Sequence, residues 1–467
     1  MPSKKQPVGY PYIANSVPHI KEQMLREVGA ESISELYEEI PERLRLHRKM
    51  DLPQPLLSEY ALRQHVEGLL ARNTSTHEVL SFLGAGCYQH FVPAVCDEVN
   101  SRNEFLTAYS GRAYEDHGRF QALWEFESLM GELLELDVVS LPTYDSYQAA
   151  ATCLRMSSRV TNRSHLVLCH PLDPGKLSKI LDYCQPSLEI TVVKWDAETG
   201  QVDLDALKAA VSGQTAAVYF DNPNFLGAIG TKAEQIAELA HQNGALVVVG
   251  ADPISLGVLA SPATYGADYV CGDIQPLGMH MSYGGGHAGY MATRDEEKLI
   301  QEYPTRLVGI APTVVPGEYG FGEVAFERTS FMKREGGKEY LGTMSNLWAI
   351  TAGVYLALMG PKGMVEVGQA IMARARHAME QIGTVRGVKA PYFPSTPFQE
   401  FVVNFDATGK SVAEINQALL AQGIFGGLDL SRSFPELGQS ALYCVSEIHT
   451  QADIERLVNA LKGIVQS

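Results

Sequence analysis

The densest group of residues that could do chemistry is the run Ser282-Tyr283-Gly284-Gly285-Gly286-His287-Ala288-Gly289. A stretch this rich in glycine lets a cofactor or another backbone approach closely, because no Cβ stands in the way. It is no P-loop, since G-K-[ST] does not follow, and no dinucleotide fingerprint, since no acidic residue stands at the required offset after a strand–helix unit. On the turn preference of glycine alone, a tight turn between two strands is favoured by about three to one. His280 and His287 flank that turn. No histidines fall into H-x-x-x-H or H-E-x-x-H spacing, so a metal site is not expected. G-x-S-x-G is absent, which leaves no Ser–His–Asp triad to nominate. Cys87, Cys96, Cys153, Cys169, Cys184, Cys271 and Cys444 are odd in number and form no C-x-x-C pair. Reduced thiols in a cytosolic protein explain them better than a zinc site or a disulfide scaffold.

Such residues need elements to hold them. From about Glu59 to Gly342, β-branched runs at 165–169, 189–193, 216–220, 245–249 and 269–271 alternate with amphipathic stretches such as 203–211 and 232–242. That alternation predicts βαβ units and a mainly parallel sheet buried on both faces. Asn243-Gly244 stops a helix and feeds the next strand. A long apolar helix is expected at 343–358, closed by Gly360-Pro361, and a second at 365–382. A strand at 400–405, a helix at 412–422, a strand at 442–445 and a helix at 451–465 after Thr450 make a small second domain. The first sixty residues read as an arm with two short helices, one entered through Val17-Pro18 and one over 32–40, where Ser32 and Glu35 form a capping box. The expected organisation is an arm (1–60), a large domain (61–342) and a small C-terminal domain (343–467).

The chain has 467 residues, 45% apolar and 19% charged, enough for a large core. Its formal charge is −17 with no dense run of Lys or Arg, so a nucleic-acid partner is not expected: nothing would release the counterions that drive such binding. The most apolar stretch, 244–259, is interrupted by Asp252 and Pro253 and is too short to span a bilayer. Residues 1–11 are polar and proline-punctuated, without the apolar centre of a secretory signal. A soluble cytoplasmic protein with no membrane partner is expected.

An ordered series of short motifs adds to this. It opens with Tyr12-Ile13-Ala14-Asn15, Met24-Leu25, Ser32-Ile33-Ser34-Glu35-Leu36-Tyr37 and Ile40-Pro41-Glu42. Phe82-Leu83-Gly84-Ala85-Gly86 follows, with Tyr88, His90 and Pro93. Then come Asn222-Pro223-Asn224-Phe225-Leu226-Gly227, Ala251-Asp252-Pro253-Ile254-Ser255-Leu256-Gly257 and Tyr265-Gly266-Ala267-Asp268. Gln275-Pro276-Leu277-Gly278 and Leu358-Met359-Gly360-Pro361-Lys362-Gly363 extend it. Taken in order over most of the chain, the series resembles the α subunit (subunit 1) of the split glycine decarboxylase, the P-protein of the glycine cleavage system. The resemblance implies an α/β architecture of the type I PLP-dependent transferase fold: a mainly parallel central sheet with helices on both faces, plus a smaller C-terminal α/β domain. It also implies a homologous β subunit carrying the lysine that holds pyridoxal 5′-phosphate (PLP). In that family PLP accepts electrons as glycine loses CO2, and the aminomethyl group passes to the lipoyl arm of a carrier, the H-protein.

The resemblance assigns places to particular residues. Asp252 ends the strand 245–249, where such folds pair an Asp with the pyridine nitrogen; a strand-end Asp capping the turn before Pro253 accounts for it equally well. No lysine occurs between Lys232 and Lys298. Gln275 stands about where the Schiff-base lysine belongs, and a carboxamide forms no imine, so no catalytic residue and no covalent coenzyme are expected in this chain. His170, after the strand 165–169, either stacks on a ring or donates to backbone. His90 with Tyr88 either holds a carboxylate near a subunit interface or forms a buried, satisfied pair. Arg334 is a carboxylate clamp or a solvated charge. Tyr109, Tyr144, Asp145, Ser146 and Asn224 complete the candidate cofactor or pocket residues.

Three segments depart from the family pattern. After Thr107-Ala108-Tyr109 a Pro/Gln-rich stretch is replaced by Ser110-Gly111-Arg112-Ala113-Tyr114-Glu115-Asp116-His117-Gly118. The Tyr-Asp-Gly helix-entry turn, whose free N–H groups suit an anion, is Tyr144-Asp145-Ser146. Within 327–346 a basic, Thr/Ser-rich segment becomes Arg334-Glu335-Gly336-Gly337-Lys338-Glu339-Tyr340. These changes are either drift in a non-catalytic subunit or the mark of a paralogue with a new pocket at Arg112, Tyr114, Asp116 and His117. The functions in view are therefore an α subunit acting on glycine in an (αβ)2 enzyme, a repurposed relative acting on another amino-acid derivative, and a non-catalytic scaffold for the β subunit.

Overall fold

The computed structural model describes residues 9–10, 12–106, 113–324, 329–342 and 344–466. The chain divides into two compact units, Met1–Thr74 and Ser75–Ser467. The division follows the helix Glu59–Leu70, which a boundary at residue 60 would cut.

In the first unit, Pro18 begins the helix Pro18–Glu27, where its missing N–H costs nothing. Ser58 caps Glu59–Leu70 by accepting from the Ala61 N–H. The capping box forms as expected, with the Ser32 N–H donating to Glu35 Oε1 at 2.9 Å. It opens a 3-10 helix, Ile33–Tyr37, instead of the longer helix expected over 32–40. Neither α-helix buries a residue.

The second unit opens with β1 (Leu80–Ser81) and centres on a seven-stranded sheet. Its strands are β2 (Val138–Val139), β3 (His165–Cys169), β4 (Glu189–Val193), β5 (Thr215–Asp221), β6 (Leu246–Gly250), β7 (Tyr269–Asp273) and β8 (Gly289–Thr293). They lie in the order β2-β8-β7-β6-β5-β3-β4, and only β8 runs against its neighbours. Every strand expected in this domain is present within two residues. Val247 and Val249 turn to one core, shared with Phe126 and Ala349, while Val248 turns to the other, shared with Leu154 and Ile180. Burial on both faces is why these strands read as unbroken apolar runs.

An antiparallel hairpin, β9 (Val308–Pro312) and β10 (Tyr319–Glu323), follows. The two helices expected at 343–358 and 365–382 are one helical run, Asn346–Ile382. Gly360 adopts φ 59° and ψ 179°, and next to it Pro361 has no N–H to donate, so the run is interrupted locally but continues. Its first half packs on the large core and its last turns on a second core, so one element joins both. That second core is built on β11 (Glu400–Asn404), β12 (Ile424–Phe425) and β14 (Ser440–Cys444), and β13 (Leu428–Asp429) lies beside β14. β14 is flanked antiparallel by β11 and β13, and β1 pairs in parallel with β12, which buries Phe82 in the small core. No helix among the described residues is long and apolar enough to cross a membrane.

Candidate functional site

Parallel α/β sheets bind ligands beyond the carboxyl ends of their strands. Here β5, β6 and β7 end in Asp221, Gly250 and Asp273, and all three line a cavity of about 110 Å3. The start of the helix Ser146–Thr161 adds Ser146 and Tyr147, the start of Pro174–Cys184 adds Asp173 and Lys176, and β11 with the residue before it adds Glu400 and Gln399. Five carboxylates (Asp173, Asp221, Asp252, Asp273 and Glu400) therefore face one ammonium among the lining residues.

That ammonium is committed. Lys176 Nζ lies 2.9 Å from Asp221 Oδ1, with both side chains nearly buried, and the Tyr219 hydroxyl donates to the same oxygen at 2.6 Å. Burial works against the charged lysine, but the Asp221 carboxylate outweighs it and holds the Lys176 pKa above its ordinary value. Gly250 makes room for the pair, since a Cβ there would collide with Asp221 Oδ1.

The helix entry at Tyr144-Asp145-Ser146 is likewise filled by the chain itself. Asp145 Oδ1 caps the helix by accepting from the Gln148 N–H at 2.7 Å. The Ser146 N–H, which a phosphate would otherwise use, donates to Asp273 Oδ2 at 3.2 Å. Asp273 Oδ1 accepts from the N–H groups of Gln275 and Ala288. Tyr144 points to solvent, 53% exposed.

Gln275 follows β7 and is fully buried. Its Oε1 accepts from the Tyr88 N–H at 3.0 Å, and its Nε2 donates to the carbonyls of Tyr88 at 2.9 Å and Met279 at 3.1 Å. The carboxamide thus pairs with a backbone as a strand would. The Tyr88 hydroxyl donates to Glu400 Oε2 at 3.0 Å, and Glu400 Oε1 accepts from the Ala85 N–H. Burial pushes the Glu400 pKa up to about 7, with the Ala85 and Tyr88 donors opposing it.

Asp252 is half-buried, and its removal from water raises its pKa against a downward pull from His90. Both of its oxygens are used: Oδ1 accepts from the Ile254 N–H at 2.9 Å and Oδ2 from Gln399 Nε2 at 2.8 Å. His90 holds a carboxylate, Glu447, at 2.7 Å through Nδ1. Burial alone would raise the Glu447 pKa, but the His90 and Phe91 donors bring it below the usual value. Asn224 lines the cavity and braces its own loop, accepting from Leu226 and Ala228 and donating to the Gly200 carbonyl.

Of the remaining candidates, His170 does not line the cavity. Of its two expected roles it takes the first, stacking on a ring, that of Phe434, at 5.4 Å and 14°; its Nδ1 accepts from the Leu172 N–H. Tyr109 lies outside the described residues, as does the side chain of Arg334, along with the segment 110–112 and the side chains of 113–118. The cavity also contains residues that had no signal as chemistry. Lys176 was nearest to being legible, because Asp173-Pro174 is a helix-start signature that sets it in the first turn after a strand. Asp221, Tyr147 and Glu400 are ordinary strand-end and helix-start residues until the fold gathers them.

A family described as the glycine cleavage system P-protein matches residues 12–461. The chain belongs to that family. It is 37% identical to the probable glycine dehydrogenase (decarboxylating) subunit 1 of Staphylothermus marinus, over 98% of each chain. The crystal structure of a glycine decarboxylase (P-protein) in inhibitor-bound form superposes with a TM-score of 0.81 at 31% identity, covering 98% of this chain and 100% of that one. A Burkholderia pseudomallei sphingosine-1-phosphate lyase, at 16% identity and a TM-score of 0.61 over 90% and 93% of the two chains, shares the fold alone. The fold is therefore that of the type I PLP enzymes, as the motif series implied, and the P-protein family comprises PLP-dependent decarboxylating oxidoreductases that work in a complex.

The residues of this P-protein chain do not fit PLP in its own cavity. The amide that would meet the phosphate already serves Asp273, the described lining residues include no arginine, the carboxylates among them oppose a dianion, and Lys176 is locked to Asp221. The group at the lysine position is a carboxamide with its hydrogen-bonding groups engaged.

Proposed function

We propose that the chain is the α subunit of a glycine dehydrogenase of the aminomethyl-transferring, decarboxylating kind, active only with a homologous β subunit that carries the PLP lysine. The observation that carries this reading is the engagement of Gln275 with the Tyr88 backbone, which leaves no imine-forming amine where the fold requires one. PLP on the partner supplies the electron sink for loss of CO2 from glycine, and the lipoyl carrier H-protein takes the aminomethyl group. This chain contributes position. Gln275, Glu400 and Glu447 together tie residues 85–91 to the large domain and to the small one, which gives the partner a rigid surface. The first unit supports a partner as well: its helices bury nothing of their own, and Val28, Leu57 and Tyr60 are exposed apolar side chains.

The test is co-expression with the β chain and assay of glycine–bicarbonate exchange with the carrier protein. Exchange is expected only when both chains are present, and borohydride reduction with PLP should label β alone. A phosphopyridoxyl peptide from this chain would refute the proposal. A second reading, a subunit repurposed for another amino-acid derivative, draws on the divergent segment, where Glu339 is buried against Arg159 at 2.9 Å and Arg155 at 3.4 Å. A well-formed complex that fails to exchange glycine would favour it.

A further inference from the structure

The cavity that does not fit PLP has hydrogen-bonding groups left over for another kind of ligand. Gln399, the residue before β11, lines it and is only 4% exposed. Its Nε2 is committed to Asp252 Oδ2 at 2.8 Å, which turns the carboxamide so that its oxygen is the end left over. That oxygen, Oε1, is buried and accepts from no donor among the described residues. A buried acceptor without a donor is rare in folded proteins, because it has lost water and gained nothing in return. Asp221, across the same cavity, repeats the pattern: Oδ1 takes both Lys176 and the Tyr219 hydroxyl, and Oδ2 has no donor among the described residues.

What the walls lack is therefore a donor, and their charge says of which kind. Beyond Lys176 the described lining residues include no Lys, Arg or His. Burial, with Asp252 and Asp173 adding to it, pushes the Glu400 pKa upward, as expected of a carboxyl group whose acidic neighbours no cation balances. An anion would meet like charge. A metal ion needs its ligands to converge on one point, and no group of three or more His, Cys, Asp or Glu among the described residues could hold one. An alkylammonium suits the space better: its nitrogen brings donors and no acceptor, and its carbons match Pro223, Phe225 and Phe398 in the same wall. The volume of about 110 Å3 has room for roughly eight water-sized groups.

We propose that this cavity binds a small alkyl diammonium ion, whose nitrogens donate to Gln399 Oε1 and to Asp221 Oδ2. Glycine is not such a ligand, since its carboxylate would join those already in the wall. The site is made by this chain alone, so it stands or falls separately from the partnership with a β subunit.

Titration calorimetry of the full-length chain with 1,4-diaminobutane tests the proposal. One saturable site with a Kd below about 1 mM is expected at about pH 7.5 and physiological salt. Glycine, succinate and the uncharged 1,4-butanediol should show no binding under the same conditions. Gln399→Leu keeps the bulk and the net charge of the chain and should weaken the diamine at least about tenfold. The chain carries a formal charge of −17, so the rival explanation is loose attraction of any cation to its surface. Such attraction would leave the Gln399→Leu titration unchanged. Amide hydrogen exchange of the wild-type protein decides the matter even where that variant does not fold: the diamine should slow exchange in the peptides carrying 221–227 and 398–400 and not elsewhere. Slowing spread over the surface, equal affinity in Gln399→Leu, or glycine binding as tightly as the diamine would each overturn the proposal. So would the absence of saturable binding, which would mean that water alone satisfies Gln399.

Discussion

Lys176 and Asp221 form an ion pair at 2.9 Å in the wall of the cavity, nearly closed to solvent. A pair taken out of water is costly to break from one side, because the surviving charge is left buried and alone. Lys176→Met should therefore destabilise the protein by about 3 kcal/mol, and adding Asp221→Asn should recover much of that loss. Urea unfolding of the two single variants and the double variant measures the coupling. Additive losses would mean that the two groups do not act as a pair.

Gln275 matters for what it satisfies. Gln275→Leu keeps the bulk but deprives the Tyr88 N–H and the Tyr88 and Met279 carbonyls of their partner. Buried groups left unmatched cost about 1–3 kcal/mol each, so a loss of at least about 2 kcal/mol is expected. Amide hydrogen exchange should show the Tyr88 N–H losing protection before the sheet does. Gln275→Lys should be destabilising for the same reason, and so should not by itself create a coenzyme site.

Glu400 carries a pH signature. Its pKa in the folded chain is raised from about 4.5 to about 7, so the folded state holds a proton that the unfolded state releases. The stability associated with that proton is full below about pH 4.5 and is lost as pH rises through about 7. At about 1.4 kcal/mol per pH unit the loss approaches about 3 kcal/mol. Glu400→Gln removes the titration. The variant should gain on wild type between pH 5 and pH 8, as read by thermal denaturation across that range, and a constant difference would argue that Glu400 stays ionised in the folded chain.

The exposed apolar residues of the first unit predict where a partner binds. Deleting residues 1–74 should weaken association with the β subunit at least about a hundredfold while leaving the unfolding transition of the second unit in place. Titration calorimetry reads the first quantity and near-ultraviolet circular dichroism the second. Undiminished affinity would place the interface elsewhere.

The parts of the fold that could be read from the chain were those with one dominant physical cause. Runs such as 165–169 and 245–249 are apolar and β-branched because the strands are buried on both faces, and Ser32 with Glu35 marks a helix start through its own hydrogen bonds. β2 and β8 went unread, the first because it has two residues, the second because Gly289–Thr293 is ordered by pairing with β7 and not by its own propensity. Gly360-Pro361 looks like a helix end, yet packing on both cores carries the helix past it.

The site divides in the same way. The amino-acid sequence alone established that no lysine is available between 232 and 298, and therefore that no imine can form there, since the presence of a functional group is a matter of composition. The tertiary structure alone decided which groups meet: Lys176 with Asp221, Tyr88 with Gln275 and Glu400, His287 with Asp273. Charge, hydrogen bonding and acidity depend on distance and burial, and those are properties of the folded chain that neighbours in sequence do not carry.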